Sequence, residues 1–345
     1  MSPSDRKKIA LWLFACCAMV FATLVVGGVT RLTHSGLSIV EWQPLVGTLP
    51  PLSQDDWREL FAKYQATPEY RQVNHAMSLA EFRGIFWWEY AHRLLGRSIG
   101  AVFLLPFLYL LAKRSIARSL APRLAAIFAL GALQGAMGWY MVKSGLVDDP
   151  RVSQYRLAAH LGLAFVIFGL MFWTALSLLR PRARAPAHPP LARAQGFAAA
   201  LAGLVFVMVL SGALVAGIRA GLAYNTFPLM NGHFVPPEIL MIEPWPLNFF
   251  NNMATVQFDH RLIAWLLAFL VPWFWLRLRR LELARRARLA CDLLLLGLAL
   301  QIALGIATLI YVVPVPLAAA HQAGAMGLFA LVLWVNHELR AGNAP

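Results

Sequence analysis

The chain has 345 residues, of which 59% are hydrophobic and 13% charged, and its net charge at pH 7 is +14. Apolar stretches close to twenty residues long recur along it, and a soluble core could not bury that much apolar surface. The composition excludes an ordinary soluble domain and predicts an all-α polytopic membrane protein. In such a chain the basic excess indicates topology and contact with anionic membrane lipids, not nucleic acid.

Eight stretches are apolar and long enough to cross a bilayer as helices. The first continues into a polar turn without a small-residue cleavage site, so we expect it to be retained as a helix. Eight crossings place both termini on one side. The predicted spans are residues 9–29, 86–112, 124–143, 153–179, 195–218, 254–276, 289–312 and 316–337.

Basic residues indicate which side that is. Cytoplasmic connections of membrane proteins carry an excess of Lys and Arg. Here the termini and every second connection are basic, so we expect both termini to be cytoplasmic, in a bacterial inner membrane. These residues are Arg6, Lys7, Lys8, Lys113, Arg114, Arg118, Arg123, Arg180, Arg182, Arg184, Arg193, Arg340 and the six arginines from Arg277 to Arg288.

The first outer loop, residues 30–85, is long and partly polar. Its segment Ser53–Tyr70 carries aromatic and apolar residues at helical spacing, which predicts an amphipathic helix on the membrane surface or over the first bundle. His34 and His75 lie in this loop, where interface or solvent-facing roles are more plausible than metal binding. His233, in the outer loop after the fifth span, has no clear role.

The sequence divides into two similar halves, residues 1–180 and 194–345, joined by a Pro- and Arg-rich cytoplasmic linker at 181–193. Glu89–Leu94 aligns with Gln257–Leu262, and Gln134 with Gln301. We therefore predict two pseudo-repeated four-helix bundles.

Each half contributes two histidines near the outer ends of its second and fourth spans, His92 with His160 and His260 with His321. Ionisable groups inside a membrane are costly and usually functional. Two imidazoles on facing helices, without thiolates, are typical of a haem held by two axial histidines. Hydrogen bonding between helices is the alternative.

Residues around the histidines suit a flat ligand. One turn after each histidine stands a small residue, Gly96, Ala164, Ala264 and Ala325, although small residues also serve helix packing. Five arginines near the outer ends could pair with haem propionates or extend to lipid headgroups. They are Arg31, Arg93, Arg97, Arg219 and Arg261.

One position distinguishes the halves. Glu89 stands three residues before His92, whereas Gln257 stands three before His260. A carboxylate one helical turn from a ligand can accept a proton or stabilise positive charge, and an amide can do neither. This asymmetry suggests a catalytic half and an electron-carrying half. Alternatively, Glu89 is structural and pairs with Arg93 or Arg31.

The motifs taken together resemble the haem A synthase family, of the proteobacterial and mitochondrial type, from about Gly27 to beyond His321. Some bacterial relatives carry a cysteine pair in the first outer loop, but this chain has cysteines only at positions 16, 17 and 291. The motifs are Glu41–Pro44 with Gly47 and Pro50–Pro51, Trp88–Arg93 with Gly96–Arg97, Gln134–Leu146, Tyr224–Met230 and Gln257–Arg261.

The resemblance implies oxidation of the C8 methyl of haem O to a formyl group in two successive hydroxylations, which gives haem A for terminal oxidases. It places the substrate haem on His92 and His160, a haem b on His260 and His321, and the catalytic carboxylate at Glu89. It also implies haem sites towards the periplasm, a ferredoxin-like or quinol electron donor, and contacts with haem O synthase or oxidase assembly factors. A homo-oligomer is compatible with the sequence, although no residue argues for one.

Two other hypotheses stay open. A two-haem b-type cytochrome linked to quinol would carry electrons without modifying a porphyrin, but both iron sites would lie near one face. A transporter with inverted repeats would use the histidines as proton relays, whereas these halves share one orientation. The sequence does not identify the source of the inserted oxygen.

Overall fold

A computed structural model describes residues 1–42, 46–145, 152–180 and 189–340. Eight long apolar helices in these ranges confirm the predicted polytopic fold. Residues 43–45 of the Glu41 motif, Leu146 of the Gln134 motif, positions 181–188 of the linker and the last five residues lie outside the described part. The long helices are α1 (Pro3–Leu32), α4 (Leu79–Ala112), α5 (Ala121–Gly145), α6 (Gln154–Leu179), α7 (Pro189–Gly217), α9 (Met253–Arg279), α10 (Arg285–Ile310) and α11 (Val315–Arg340).

Three short helices belong to the outer loops: α2 (Gln54–Gln65), α3 (Pro68–Gln72) and α8 (Asn248–Asn251). Within the described ranges there is no strand, only an isolated β-bridge between Met230 and His233. Lipid accounts for the helical fold, because backbone groups in hydrocarbon must be hydrogen-bonded within their own segment.

Helix starts explain where the structure extends the predicted spans. Ser78 and Glu81 form a capping box, so α4 begins well before its apolar stretch, in the outer loop. The helix α7 begins at Pro189, a residue suited to a first helical turn, so the end of the predicted linker is helical.

The helices form a central group and two flanking pairs. At the centre α1 packs on α6 and α11, and α7 packs on the same two helices, so the halves share one core. The pair α4 and α5 flanks one side and α9 and α10 the other. In the most apolar stretch of α1, 39% of the residues are buried, whereas in that of α5 only 6% are buried.

Helix contacts follow the same order in both halves. The helices α1, α4, α5 and α6 pack in sequence and close back on α1, and α7, α9, α10 and α11 do the same. This order supports the pseudo-repeat, which stays a prediction. It places each predicted histidine pair on a flanking helix and a central helix.

The first outer loop caps the N-terminal half through an aromatic cluster. Trp57 and Tyr64 of α2 pack on Phe82 and Phe86 of α4, with the Trp57 and Phe86 ring centroids 4.9 Å apart. Arg83 stacks over the Trp57 ring at 5.0 Å. The amphipathic helix predicted at Ser53–Tyr70 is therefore present and lies on the outer extension of α4.

Candidate functional site

In the N-terminal half, two histidine rings occupy α4 and α6, which lie opposite each other and both pack on α1 and α5. His92 on α4 places Nδ1 3.1 Å from the backbone carbonyl of Thr23 on α1. His160 on α6 contacts Gln134 on α5, whose amide nitrogen lies 3.3 Å from Nε2 and donates to the His160 carbonyl at 3.0 Å. The two histidines therefore lie on opposite helices of one four-helix group.

The C-terminal half has a similar arrangement with two changes, one at each ring. Gln301 on α10 approaches His321 Nδ1 at 3.2 Å and donates to its carbonyl at 2.9 Å. His260 Nδ1, however, lies 2.8 Å from the Ser211 hydroxyl on α7 and not against a backbone carbonyl. The helices that carry His260 and His321, α9 and α11, likewise lie opposite each other, and both pack on α7 and α10.

The contacts of the ring nitrogens decide how the imidazoles can act. The Thr23 carbonyl can only accept, so His92 Nδ1 carries the proton and Nε2 keeps its lone pair. Ser211 donates to the Met208 carbonyl at 2.8 Å and can accept from His260. Such a partner fixes the tautomer and orientation of a metal-binding histidine, so Nε2 of both rings keeps a lone pair with which it could bind a metal.

Four glycines that the sequence analysis did not identify face the four rings. A Cβ atom added to Gly27 would lie 2.6 Å from His92, and one added to Gly305 would lie 2.9 Å from His321. Those on Gly212 and Gly138 would lie 3.2 Å from His260 and 3.3 Å from His160. The absence of a side chain thus makes room for each imidazole. Each of these glycines lies a few residues before the outer end of its helix, and the same position is glycine in both halves. This repetition was the sequence signal that could have identified them.

The small residues predicted beside the histidines lie where a flat group could fit. A Cβ atom on Gly96 would meet no other atom within 4 Å, so this face of α4 is open. Ala164, Ala264 and Ala325 are only partly buried. The open face of α4 one turn after His92 leaves room for a flat group such as a porphyrin.

The chemistry of the donor set agrees. No three His, Cys, Asp or Glu side chains come together in the part of the chain that the structure describes. A pair of imidazoles without further protein ligands suits an iron whose other four positions are filled by a porphyrin. The residues therefore fit two haems, one for each pair.

Glu89 is held by four hydrogen bonds. It is 2% exposed, and Oε2 accepts from the Ser38 hydroxyl at 2.7 Å and the Ile39 amide at 2.8 Å. Oε1 accepts from Arg93 Nε at 3.0 Å and from a terminal guanidinium nitrogen at 2.6 Å. The structure thus shows the pairing with Arg93 that the structural alternative required, and it also joins Glu89 to the outer loop.

Gln257 occupies the matching place in the other half. Its side-chain oxygen accepts from Arg261 at 2.9 Å, and its amide donates to the Ala220 carbonyl at 2.7 Å. Arg93 binds the Ile39 carbonyl and Arg261 binds the Tyr224 carbonyl, so each arginine fastens the outer loop after its neighbouring helix. In both networks an arginine binds this residue and a carbonyl of the outer loop. The networks differ in the charge of the residue, which is a carboxylate in Glu89 and an amide in Gln257.

The other three predicted arginines also contact protein. Arg31 donates to the carbonyls of Ala216 and Gly217 at the end of α7, and Arg97 donates to the Gly47 carbonyl at 2.9 Å. Arg219 lies 3.2 Å from His34 Nδ1. Burial, together with the charges of Arg219 and Arg31, lowers the pKa of His34. Propionate binding by these residues stays a prediction.

The remaining histidines lie away from the paired rings. His34 belongs to the basic group at the junction of the halves, and His75 lines an outer cavity beside α4. His233 pairs through its backbone with Met230. All three cysteines are buried thiols.

Comparison with known proteins identifies the family. The profile of the COX15-CtaA cytochrome oxidase assembly proteins matches residues 10–333. The chain belongs to the COX15-CtaA family. The haem A synthase of Nitrosospira multiformis is 68% identical over 97% of this chain and 94% of its own length. That of Nitrosomonas eutropha is 60% identical over the same shares.

Mitochondrial members of the COX15-CtaA family are also similar. The haem A synthase COX15 of Mus musculus is 44% identical over 98% of this chain and 84% of its own length. The resemblance inferred from the motifs is therefore confirmed.

Proposed function

We propose that this protein is a haem A synthase, which oxidises the C8 methyl of haem O to a formyl group in two successive hydroxylations. The names of its full-length relatives support this reaction. A role in cytochrome oxidase assembly follows from the family. The product, haem A, would serve terminal oxidases.

The observation that carries the proposal is the carboxylate of Glu89, which stands where the C-terminal half has the amide of Gln257. Glu89 and Gln257 occupy equivalent positions, accept hydrogen bonds from equivalent arginines, and lie one helical turn before His92 and His260. Only Glu89 can exchange a proton or stabilise positive charge. Chemistry is therefore assigned to the N-terminal half.

The histidine pairs divide the two haems between the halves. His92 and His160 would hold the substrate haem, so that its edge is presented to the Glu89 network. His260 and His321 would hold a haem b, which supplies reversible one-electron transfer when bound. The fixed tautomers of His92 and His260 orient their Nε2 atoms for this purpose.

The basic group at the junction of the halves suits the carboxylates of a haem. Arg31, Arg219 and His34 come together there, and Arg31 is tied to the C-terminal carbonyls of α7. Guanidinium groups bind carboxylates through directed, charge-assisted hydrogen bonds. We assign propionate binding first to Arg31 and Arg219, since Arg93 already neutralises Glu89.

The protein is a multi-pass membrane protein. We propose that it lies in the bacterial inner membrane with both haem sites towards the periplasm, on the basis of the basic connections. Haem O synthase and oxidase assembly factors are the partners that this role requires, and a ferredoxin-like protein or a quinol would donate electrons.

Identification of the bound haems tests the proposal most directly. We expect the purified protein to release haem b together with haem O or haem A, identified by chromatography and mass. Recovery of haem b alone would favour the two-haem cytochrome instead.

A substitution tests the assigned carboxylate. Glu89→Gln keeps the shape of the side chain and removes its charge, so we expect the variant to bind both haems and to accumulate haem O or a hydroxylated form. Glu59→Gln on the exposed face of α2 is the matched control. Complete conversion by Glu89→Gln would reject the assigned role.

A further inference from the structure

Neighbouring residues of α1 contact the N-terminal histidine pair and the residue next to the C-terminal pair. The carbonyl of Thr23 accepts from His92 Nδ1 at 3.1 Å, and the carbonyl of the next residue, Leu24, accepts from the side-chain amide of Gln322 at 3.1 Å. Gln322 directly follows His321 on α11. The backbone of a single residue therefore joins a hydrogen bond in the N-terminal site to one beside the C-terminal site.

Two adjacent glycines on α1 make room for these contacts. A Cβ atom on Gly27 would lie 2.6 Å from the His92 ring, whereas one on Gly28 would collide with the side-chain oxygen of Gln322. Gly28 and Leu24 are buried, so the Gln322 contact lies inside the protein. The two glycines face different halves of the molecule, and each admits one polar side chain to α1.

The residue after the matching histidine of the N-terminal half is different. His160 is followed by Leu161, whose side chain has no donor and packs against the hydrophobic core. A polar group inside a protein is costly unless it is hydrogen-bonded, so an apolar side chain is enough where packing alone is needed. The difference indicates that Gln322 has a role that packing does not require.

We propose that Gln322 and Leu24 form the route by which an electron passes from the C-terminal haem site to the N-terminal one. The route starts at His321 and continues along the chain to Gln322, whose amide is hydrogen-bonded to the Leu24 carbonyl. One residue of backbone then leads to the Thr23 carbonyl, which is hydrogen-bonded to His92. This inference rests on the proposed function and goes beyond it, because it names the residues that connect the two sites.

Continuous bonding makes this route favourable. Electronic coupling between two metal sites falls more slowly along covalent bonds and hydrogen bonds than across van der Waals gaps. Two hydrogen bonds and the covalent bonds between them join a histidine of one pair to a histidine of the other. Gln322 is a positioning residue for this transfer, because it holds the amide against α1 and touches neither reacting group.

The transfer balances in electrons. One electron leaves the haem b iron, which is oxidised, and one enters the iron held by His92 and His160, which is reduced. No bond breaks and no proton moves. The proposed ferredoxin-like or quinol donor then reduces haem b again.

Photochemical reduction of the purified protein measures this transfer without turnover. The sample carries haem b and the product haem A, formed by turnover or supplied by addition, because the formyl group of haem A separates its absorption band from that of haem b. Without oxygen, a light-driven reductant supplies less than one electron per protein, and absorbance follows the redistribution of that electron between the two haems.

Gln322→Leu is the main variant, because it removes the hydrogen bond, keeps the approximate size of the side chain, and copies the residue after His160. We expect redistribution to slow by about tenfold, as for loss of an outer-shell partner. Haem content and both midpoint potentials should stay close to those of the wild type, whereas a merely structural role would change them. Redistribution as fast as in the wild type would overturn the proposal.

Gln195→Leu is the matched control. Gln195 on α7 donates to the backbone carbonyl of Leu339 on α11 at 2.9 Å, so this variant also removes a bond between a glutamine amide and a backbone carbonyl across central helices. Gln195 lies near the start of α7, whereas Gly212, which faces the His260 ring, lies near its end. The rate should be unchanged. Equal slowing in both glutamine variants would show a general loosening of the core and would contradict the route.

Gly28→Ala tests the same hydrogen bond from α1. The added Cβ atom must displace Gln322, so redistribution should slow although the substitution lies in the N-terminal half. The double variant Gly28→Ala with Gln322→Ala should be no slower than Gln322→Ala alone, because both changes remove one interaction. Two effects that multiply would mean that the residues act separately, against the proposal.

Haem O conversion by the same samples separates the two proposals. If no sample converts haem O but electron redistribution depends on Gln322 as expected, the proposed function fails and the route stands. If the wild type converts haem O and Gln322→Leu redistributes electrons as fast as the wild type, the route fails and the proposed function stands.

Discussion

The two halves build the same histidine site from different partners. His160 and His321 each contact a glutamine from the preceding helix, and each of the four rings faces a glycine. The partner of His92 is a backbone carbonyl, whereas that of His260 is the hydroxyl of Ser211. On the proposed function, the common parts would hold a haem in each half, and the parts that differ would decide the role of that haem.

The difference in charge has a structural consequence as well. In the N-terminal half two loop donors, Ser38 and Ile39, complete the shell of Glu89. In the C-terminal half the loop offers an acceptor, the Ala220 carbonyl, which suits the amide of Gln257. The outer loops and the residues one turn before the histidines are therefore matched, and exchange of the side chain alone should be unfavourable.

The largest effect is expected for Gly27→Ala. Its Cβ atom would lie 2.6 Å from the His92 ring, so the ring must leave its position beside Thr23. We expect the N-terminal haem to bind about 10- to 100-fold more weakly, as for loss of an orienting partner, while haem b is retained. Haem extraction and chromatography measure both.

Gly100→Ala is the matched control for Gly27→Ala, because its Cβ atom would meet nothing within 4 Å. Alanine should slightly favour this helix. Equal haem contents in the two variants would contradict the proposed role of Gly27.

The other three glycines should give graded effects. Gly305→Ala should weaken haem b retention more than Gly212→Ala, because the added Cβ atom lies 2.9 Å and 3.2 Å from the facing ring. Gly138→Ala, at 3.3 Å, should affect only the N-terminal haem and least of all. The ratio of the two haems in each variant checks the assignment of halves. Loss of the same haem in all three would refute it.

A smaller effect is expected for Gln257→Glu, which gives the C-terminal half the carboxylate that the N-terminal half has at Glu89. Gln257→Glu places a carboxylate oxygen against the Ala220 carbonyl and loses the donated hydrogen bond, although Arg261 can still pair with it. We expect the free energy of unfolding to fall by about 1–3 kcal/mol, and thermal denaturation measures this loss. Haem O oxidation should not move to this half, and a second active site would show that the loop partners are unnecessary.

The smallest effect is expected for Ser211→Ala. The variant removes the Nδ1 partner of His260, and the backbone carbonyl that serves His92 has no counterpart here. Loss of an orienting hydrogen bond should weaken haem b retention by about tenfold and lower the basicity of the ligand. Spectroscopic redox titration should show a shift in the haem b potential. An unchanged spectrum and haem content would mean that Ser211 does not fix this ring.

Much of the fold could be predicted from the sequence, because hydrocarbon allows few backbone structures and long apolar stretches must become helices. The predicted spans differ from the observed helices at the helix ends, where polar residues set the boundary. Ser78 and Glu81 extend α4, and Pro189 begins α7, outside the apolar stretches. Hydropathy does not detect such caps.

The site was predicted in part. The histidine pairs were predicted from costly imidazoles at repeated positions, and the structure places each pair on opposite helices of one four-helix group; haem binding by these pairs stays a prediction. Gln134 and Gln301 were aligned but had no assigned contact, and Glu69 was not singled out. Its burial accompanies the packing of α3 on α2, which a short polar segment does not reveal.

The sequence by itself determined the eight membrane helices, the basic side, and the one charge that distinguishes the halves. These properties depend on composition and on spacing along single helices. Only the tertiary structure decided which atoms meet across helices: Gly27 with His92, Ser211 with His260, and Ser38 with Glu89. Such contacts depend on the rotation and crossing of helices, which packing sets and apolar length does not.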